Sequence, residues 1–329
     1  MIAALAVAAV AGVVLSARAS LDDERLYSAR TAELPLFSER ANGLVRIPVG
    51  DLVFRARVAG MDQAGPALVL LHGFPETSAM WVALIDAAAA SGFRVVAFDQ
   101  RGYSPGARPE AVSDYAVPKL LGDIAAVADT VGFDRFHLVG HDWGCVLGWA
   151  FAAANPEQVL SWSALSIPHP GSFAEREGAG PPLYVRVFNT RGLAETLLSF
   201  NRLWVMRRAM YADTSDAQRK EYVAAFSEPG AITAALNWYR ATFTGAAPTG
   251  AETGAIGAPT LFIRGSREMW ASDATLARQR PLLTGPYTEI TLDAGHWLME
   301  EEPQAVVDAI LAHLQAAASG DAPTEDVVH

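Results

Sequence analysis

Phe136-His-Leu-Val-Gly140-His-Asp142-Trp-Gly144-Cys-Val-Leu-Gly148-Trp-Ala-Phe151 passes from an apolar, β-rich run, across a carboxylate with glycine two residues to either side, into small residues at helical spacing. A strand that turns sharply into a helix strains the residue at the bend and crowds its neighbours, so glycines at 140 and 144 are what a nucleophile elbow requires. Asp142 stands where such turns usually carry serine. An ionised carboxylate needs no base to activate it and suits attack at saturated carbon, giving an ester of the enzyme itself. Alone, Gly140-His-Asp-Trp-Gly144 leaves a second reading open, in which Asp142 caps the helix that follows. Cys145 is the single cysteine, which excludes an intramolecular disulfide and any zinc site built on paired thiolates. Between Gly144 and Val146 it reads as a small buried helix residue.

Outward from this turn, short β-rich runs alternate with longer alanine-rich stretches of helical period. The runs are Leu44–Pro48, Val53–Val58, Ala67–Leu71, Arg94–Phe98, Phe136–Val139, Leu160–Ser166, Thr260–Ile263 and Thr288–Leu292. The first two flank Gly50-Asp51 and read as an antiparallel hairpin; the others are spaced by helices, as in parallel βαβ units. The expected architecture is α/β, an eight-stranded and mostly parallel sheet. Residues 43–167 and 251–317 form its two halves. Residues 168–250 contain no good strand but several helical segments rich in Trp, Tyr, Phe and Leu, the pattern of an inserted helical lid.

At the ends, Ile2–Leu15 is an uncharged apolar run followed by Ala17-Arg18-Ala19, which fits the small-x-small rule of a signal-peptidase site. Residues 1–19 are therefore expected to be a signal peptide or anchor, with export to the periplasm or beyond favoured over a cytoplasmic location. Membrane contact is expected only through this segment. Residues 20–42 read as a polar linker and 318–329 as a flexible tail. A chain of 329 residues that is 51% hydrophobic can bury one large core. Its formal net charge of −11, without any long basic cluster, excludes nucleic acid as a partner.

If Asp142 is a nucleophile, an acid and then a histidine should follow it at the ends of later strands. Glu268, in Arg264-Gly-Ser-Arg-Glu268, lies just past the Thr260–Ile263 run. His296, in Asp293-Ala-Gly-His296-Trp, lies just past Leu292. Hydrolysis of an aspartyl ester puts negative charge on the carbonyl oxygen and needs backbone donors. The amides of Phe74, in His72-Gly-Phe-Pro75, and of Trp143 are the candidates. His72 reads as structural. Gly102-Tyr-Ser-Pro-Gly106 also matches the serine-hydrolase pattern, but Pro105 directly after the serine and Ala-Arg-Pro-Glu beyond it mark a loop that opens no helix.

From about Leu44 to Ala317 the chain resembles the epoxide hydrolases of the α/β-hydrolase superfamily. The resemblance rests on His72-Gly-Phe-Pro75, Asp99-Gln-Arg-Gly-Tyr-Ser104, Gly140-His-Asp-Trp-Gly144, Ile167-Pro-His-Pro-Gly171 and Leu236-Asn-Trp-Tyr-Arg240. It implies an inserted lid whose two tyrosines hydrogen-bond the epoxide oxygen. Tyr239 matches one, and Tyr184 is the best match for the other, with Tyr211 and Tyr222 as runners-up. A strained ring still leaves as an alkoxide, and a phenol of pKa ~10 can protonate it without admitting water. Phe74, Trp143, Tyr184, Tyr239 and Trp297 are expected to line the substrate pocket. The family's acid is usually Asp, and this chain has Glu268.

These residues imply that Asp142 opens a small apolar epoxide, that His296 oriented by Glu268 activates water, and that a vicinal diol leaves. No metal or organic cofactor is needed. A haloalkane dehalogenase shares the Asp nucleophile, but its usual halide-binding Asn is Phe74 here. Fluoroacetate-type dehalogenases carry an arginine where Trp143 stands. A ligand-binding protein that keeps the fold without catalysis is the alternative from another class.

Overall fold

The structure, a computed structural model, describes residues 27–176, 182–243 and 253–319. The expectations for residues 1–19 lie outside the described residues. Eight strands, β1 (Gly43–Val49), β2 (Leu52–Ala59), β3 (Ala67–Leu71), β4 (Arg94–Phe98), β5 (Phe136–His141), β6 (Val159–Leu165), β7 (Thr260–Gly265) and β8 (Tyr287–Leu292), form one sheet. Their order is β1-β2-β4-β3-β5-β6-β7-β8. β1 and β2 pair antiparallel across Gly50-Asp51, and β2 is antiparallel to β4, while every other neighbouring pair is parallel.

Every residue of β3 and β5 is buried, as expected where helices cover a parallel sheet. The helices Val82–Ala90 and Pro303–Ser319 pack on each other, as do Val117–Thr130 and Trp143–Ala154. The strand order reverses direction beside β3. The loops after β3 and β5 therefore diverge at their carboxyl ends, the crevice where ligands bind in sheets of this kind. His72-Gly-Phe74 and Asp142 occupy those two loops.

β5 runs two residues past the expected Val139, because Gly140 and His141 stay paired with Ala164 and Leu165 of β6. β7 likewise continues to Gly265 opposite Leu292. In both cases glycine marks the end of an isolated strand, but the neighbouring strand holds it in register.

Between β6 and β7 the described residues contain no strand. They form the helices Leu183–Asn189, Leu193–Ala209, Asp216–Ser227 and Ala231–Phe243. The second breaks at Asn201, Arg202 and Leu203, all at positive φ. The 3-10 stretch Pro170–Arg176 sits apart from these four, against the helix Asp273–Gln279. His169 N–H donates to Gln279 Oε1 at 2.7 Å, and Arg278 Nε donates to Ser172 O at 2.8 Å. Its first residues thus lie on the sheet domain, although residues 168–250 were expected to form the lid.

The linker reading of residues 20–42 is corrected where the segment is described. Residues 27–32 are helical, and Tyr27 is buried with its hydroxyl donating to Asp99 Oδ2 at 3.1 Å. Arg46 Nε donates to Leu34 O at 2.7 Å. Polar composition suggested an exposed strand of chain, but its few apolar and aromatic side chains anchor it. At the other end the last helix continues to Ser319, two residues into the expected tail.

Candidate active site

Asp142 has φ 51° and ψ −116°, a strained bend between β5 and the helix Trp143–Ala154. The glycines around it are a steric necessity. A methyl group on Gly140 would lie 2.5 Å from Gly144 O, and one on Gly144 would lie 2.1 Å from Leu71 O. The capping alternative fails on geometry, since the Asp142 side chain makes no cap hydrogen bond to its helix. Oδ1 instead accepts from Phe74 N–H at 2.8 Å, and Oδ2 lies 3.5 Å from His296 Nε2. Gly73 leaves room for the carboxylate: a Cβ there would sit 2.4 Å from Asp142 Cβ and 2.6 Å from Oδ1.

His296 follows β8 and faces two carboxylates. Its Nδ1 lies 2.5 Å from Glu268 Oε2, while the other Glu268 oxygen accepts from Trp270 N–H at 3.0 Å. The Glu268 side chain is 1% exposed, so the longer acid is locked in place by these two bonds. Burial favours the neutral imidazole, but the hydrogen bonds and charges of Asp142 and Glu268 overcome it and push His296 up to about 10. Burial also works against the Asp142 carboxylate. There the His296 hydrogen bond and charge and the Phe74 amide prevail, and the pKa falls below the usual range. Carboxylate and imidazolium form a preorganised ion pair.

Behind this pair lies a polar cluster that the sequence reading did not single out. His141 Nε2 contacts His296 O at 2.9 Å, and Nδ1 contacts Glu76 Oε2 at 2.9 Å. Ser166 Oγ donates to the same carbonyl at 2.8 Å. A carbonyl only accepts, so His141 carries its proton on Nε2, and Nδ1 accepts from the Glu76 carboxylic acid. Burial supports this assignment: it lowers His141 and raises Glu76 to about 8, and it holds the neighbouring Glu300 well above the usual carboxylate range. The signal in the sequence was a glutamate directly after His72-Gly-Phe-Pro75 and a histidine directly before Asp142.

Above the carboxylate, the helix Ala231–Phe243 brings down Tyr239, 6% exposed. Its ring meets Phe74 edge-on at 5.6 Å and Trp143 at 5.0 Å, between the two residues whose amides are the oxyanion candidates. Burial and the negative field of Asp142 raise its pKa well above 10, so it carries its proton. Tyr184, 39% exposed, lies outside it with ring centroids 6.4 Å apart, touching Phe188 and Trp270. The other two tyrosines are elsewhere: Tyr211 donates to Pro75 O at 2.6 Å, and Tyr222 packs on Tyr211.

The Trp297 ring lies against His296 at 4.9 Å and His141 at 5.7 Å. His72 is buried, with Nε2 accepting from Gln100 N–H at 3.0 Å. Ser104, of the serine-hydrolase look-alike, donates to Asp99 O at 2.6 Å within a turn and opens no helix. Cys145 is buried against Gly140 O and Leu165 O. Among the described residues no group of three His, Cys, Asp or Glu side chains could hold a metal ion.

A family model described as alpha/beta hydrolase fold matches residues 66–303. Epoxide hydrolase A of Mycobacterium tuberculosis is 32% identical over 304 residues, covering 79% of this chain and 94% of that protein. Epoxide hydrolase 3 of Xenopus tropicalis is 32% identical over 281 residues, covering 80% of this chain and 75% of its own. Among solved structures, epoxide hydrolase A from Mycobacterium thermoresistibile is similar with a TM-score of 0.70 at 27% identity, covering 83% of this chain and 98% of the other.

Proposed function

We propose that this chain, which belongs to the epoxide hydrolases of the α/β-hydrolase fold family, converts an apolar epoxide to a vicinal diol in two steps at Asp142. The observation that carries the mechanism is the Asp142 carboxylate, free of any capping role, with His296 on one side and a buried phenol above. In the first step Oδ2 attacks an epoxide carbon, the ring C–O bond breaks, and Tyr239, with Tyr184, protonates the departing oxygen. The phenol's proton is replaced from the His296 imidazolium. Esterification also removes the Asp142 charge, one of the causes that hold His296 near 10, so the ring is left neutral when a base is next needed.

In the second step neutral His296 takes a proton from water, and the hydroxide oxygen bonds to the ester carbonyl carbon. The Phe74 and Trp143 amides stabilise the oxyanion. As the intermediate collapses, its C–O bond to the diol breaks and the hydroxyl added from water gives its proton to the departing oxygen, so the diol leaves and the Asp142 carboxylate and His296 imidazolium return. One proton leaves His296 and one comes back from water. Glu268 orients the ring throughout. The helices from Leu183 to Phe243 act as a cap whose aromatic lining, including Phe188 and Phe243, takes the apolar part of the substrate. The run Ile2–Leu15 with Ala17-Arg18-Ala19 supports an exported or membrane-anchored chain.

The test is diol formation from styrene oxide by wild type and by Asp142→Asn. Wild type is expected to turn over, and the variant to lose at least ~10⁴-fold in kcat. His296→Asn should accumulate protein heavier by one epoxide in quenched-flow mass spectrometry, and the double variant should not. Release of halide from haloalkanes by a wild type that leaves epoxides intact would overturn the reading.

A further inference from the structure

The helix Leu193–Ala209 is apolar on two faces. Ala194, Leu198, Leu203 and Met206 are buried, yet Leu193, Leu197, Phe200 and Trp204 are exposed by 49%, 45%, 63% and 50%. Leu193 and Leu197 lie one turn apart before the break, and Phe200 and Trp204 lie at it and just beyond it, so four large apolar side chains face solvent where a chain that needed only to fold would carry polar ones. Trp and Phe in such a group are the side chains favoured at a membrane interface.

Charge next to this group points the same way. An open cleft of about 500 Å³ is lined by Arg30, Arg202, Arg207, Arg219 and Lys220, with Asp216 as the single carboxylate in its wall. Asp216 lies 3.5 Å from Arg219. Arg202 lies in the break and Arg207 in the helical piece that follows it, three residues from Trp204, and Arg208 is also exposed. Five cations around one cleft are a strong local concentration in a chain whose formal net charge is −11.

The path of the chain supplies a third observation. Tyr27 lines this cleft, and the apolar run Ile2–Leu15 ends twelve residues before it, counting from 15 to 27. Twelve residues span at most about 40 Å, so the run stays within reach of the surface that the cleft faces. A second copy of the chain meeting this face about a two-fold axis would bring cations onto cations.

We infer that the outer face of the helices between β6 and β7 docks on an anionic lipid bilayer, with Leu193, Leu197, Phe200 and Trp204 entering the interface and the arginine-lined cleft meeting the headgroups. Membrane contact then involves the folded protein as well as residues 1–19. Each cation near an anionic surface strengthens binding severalfold, and this part weakens with salt.

The experiment is co-sedimentation of the full chain with phosphatidylcholine vesicles, with and without phosphatidylserine. Two double variants are compared with wild type: Phe200→Ser with Trp204→Ser, and Arg207→Glu with Lys220→Glu. Wild type should bind the phosphatidylserine vesicles and release as salt is raised. Each variant should partition on the order of tenfold less, with styrene oxide turnover and thermal midpoint unchanged. Equal binding to neutral and anionic vesicles would overturn the inference. So would wild-type binding by both variants, which assigns attachment to the N-terminal run alone. Concentration-dependent dimerisation lost in the Phe200 and Trp204 variant would also overturn it, in favour of a protein partner.

Discussion

The two halves of the active site are built on different kinds of support. Below the substrate position, Phe74, Asp142, Glu268 and His296 come from loops that follow β3, β5, β7 and β8, whose ends the sheet register fixes. Each makes a hydrogen bond or close polar contact that sets its orientation. Above, Tyr239 and Tyr184 sit on inserted helices: Tyr239 is wedged among Phe74, Trp143 and Phe188 on a helix whose Trp238 Nε1 donates to Arg101 O at 2.8 Å, and Tyr184 lies at the outer edge in a seven-residue helix. In the proposed mechanism the charged residues are on loops of the sheet and the two phenols are on the inserted helices. Preorganisation is worth most where charge develops, and adaptability where the substrate differs.

The strongest test of that difference is Gly73→Ala. The added methyl would lie 2.4 Å from Asp142 Cβ, so either the carboxylate or the Phe74 amide must give way. Displacement of a reacting group by about 1 Å costs on the order of 10²-fold. Loss of kcat/KM by that factor or more, with the protein still folded by circular dichroism, is expected. Full activity would mean that the lower half is as compliant as the upper.

A smaller effect separates the two tyrosines. Tyr239→Phe should slow ester formation by about 10²-fold, measured in single turnover, because its phenol is buried and within the field of the Asp142 carboxylate. Tyr184→Phe, at a half-exposed phenol that water can partly replace, should cost about tenfold. Ester hydrolysis should be unchanged in both. Equal effects would put both donors on the same footing and remove the gradient across the cap.

Asp142, Glu268, His296 and Phe74 were legible in the sequence because each belongs to a local pattern, a glycine-bracketed turn or a polar residue just past a strand. The eight strands were legible for the same reason, apart from the glycines that only cross-strand pairing keeps in β5 and β7. What the sequence hid was non-local. Glu76, His141 and Glu300 become a cluster only when the loop after β3, the end of β5 and the short helix Leu298–Glu301 beyond β8 converge, and burial of a carboxylate leaves no mark on its neighbours in the chain. Glu221 is similar: its helix, Asp216–Ser227, looks like an exposed polar one. It is pinned to β2 through Arg55 at 3.0 Å and Arg57 at 2.5 Å.

The remaining expected effect is on stability, and it tests whether the lower half is preorganised by charge. His296 is raised from an ordinary value near 6.5 to about 10 by bonds and charges that exist only in the folded protein. A basic group raised by folding contributes in full below its unfolded pKa. Between about 6.5 and 10 the unfolded chain has lost the proton and the folded one keeps it, so the contribution falls as pH rises through this window and is gone above it. Glu76, raised to about 8, also loses stability with rising pH, from the ordinary carboxylate range up to about 8. The informative quantity is therefore the difference between wild type and His296→Gln in urea midpoint, converted to free energy at each pH. That difference should shrink by about 4 kcal/mol between pH 6.5 and 10. In Asp142→Asn, where one of the two carboxylates is gone, the fall should be complete at a lower pH. A difference that stays flat across the window would show that His296 is neutral in the resting protein, and the proton delivered to the epoxide would then have to come from the tyrosines without replacement from below.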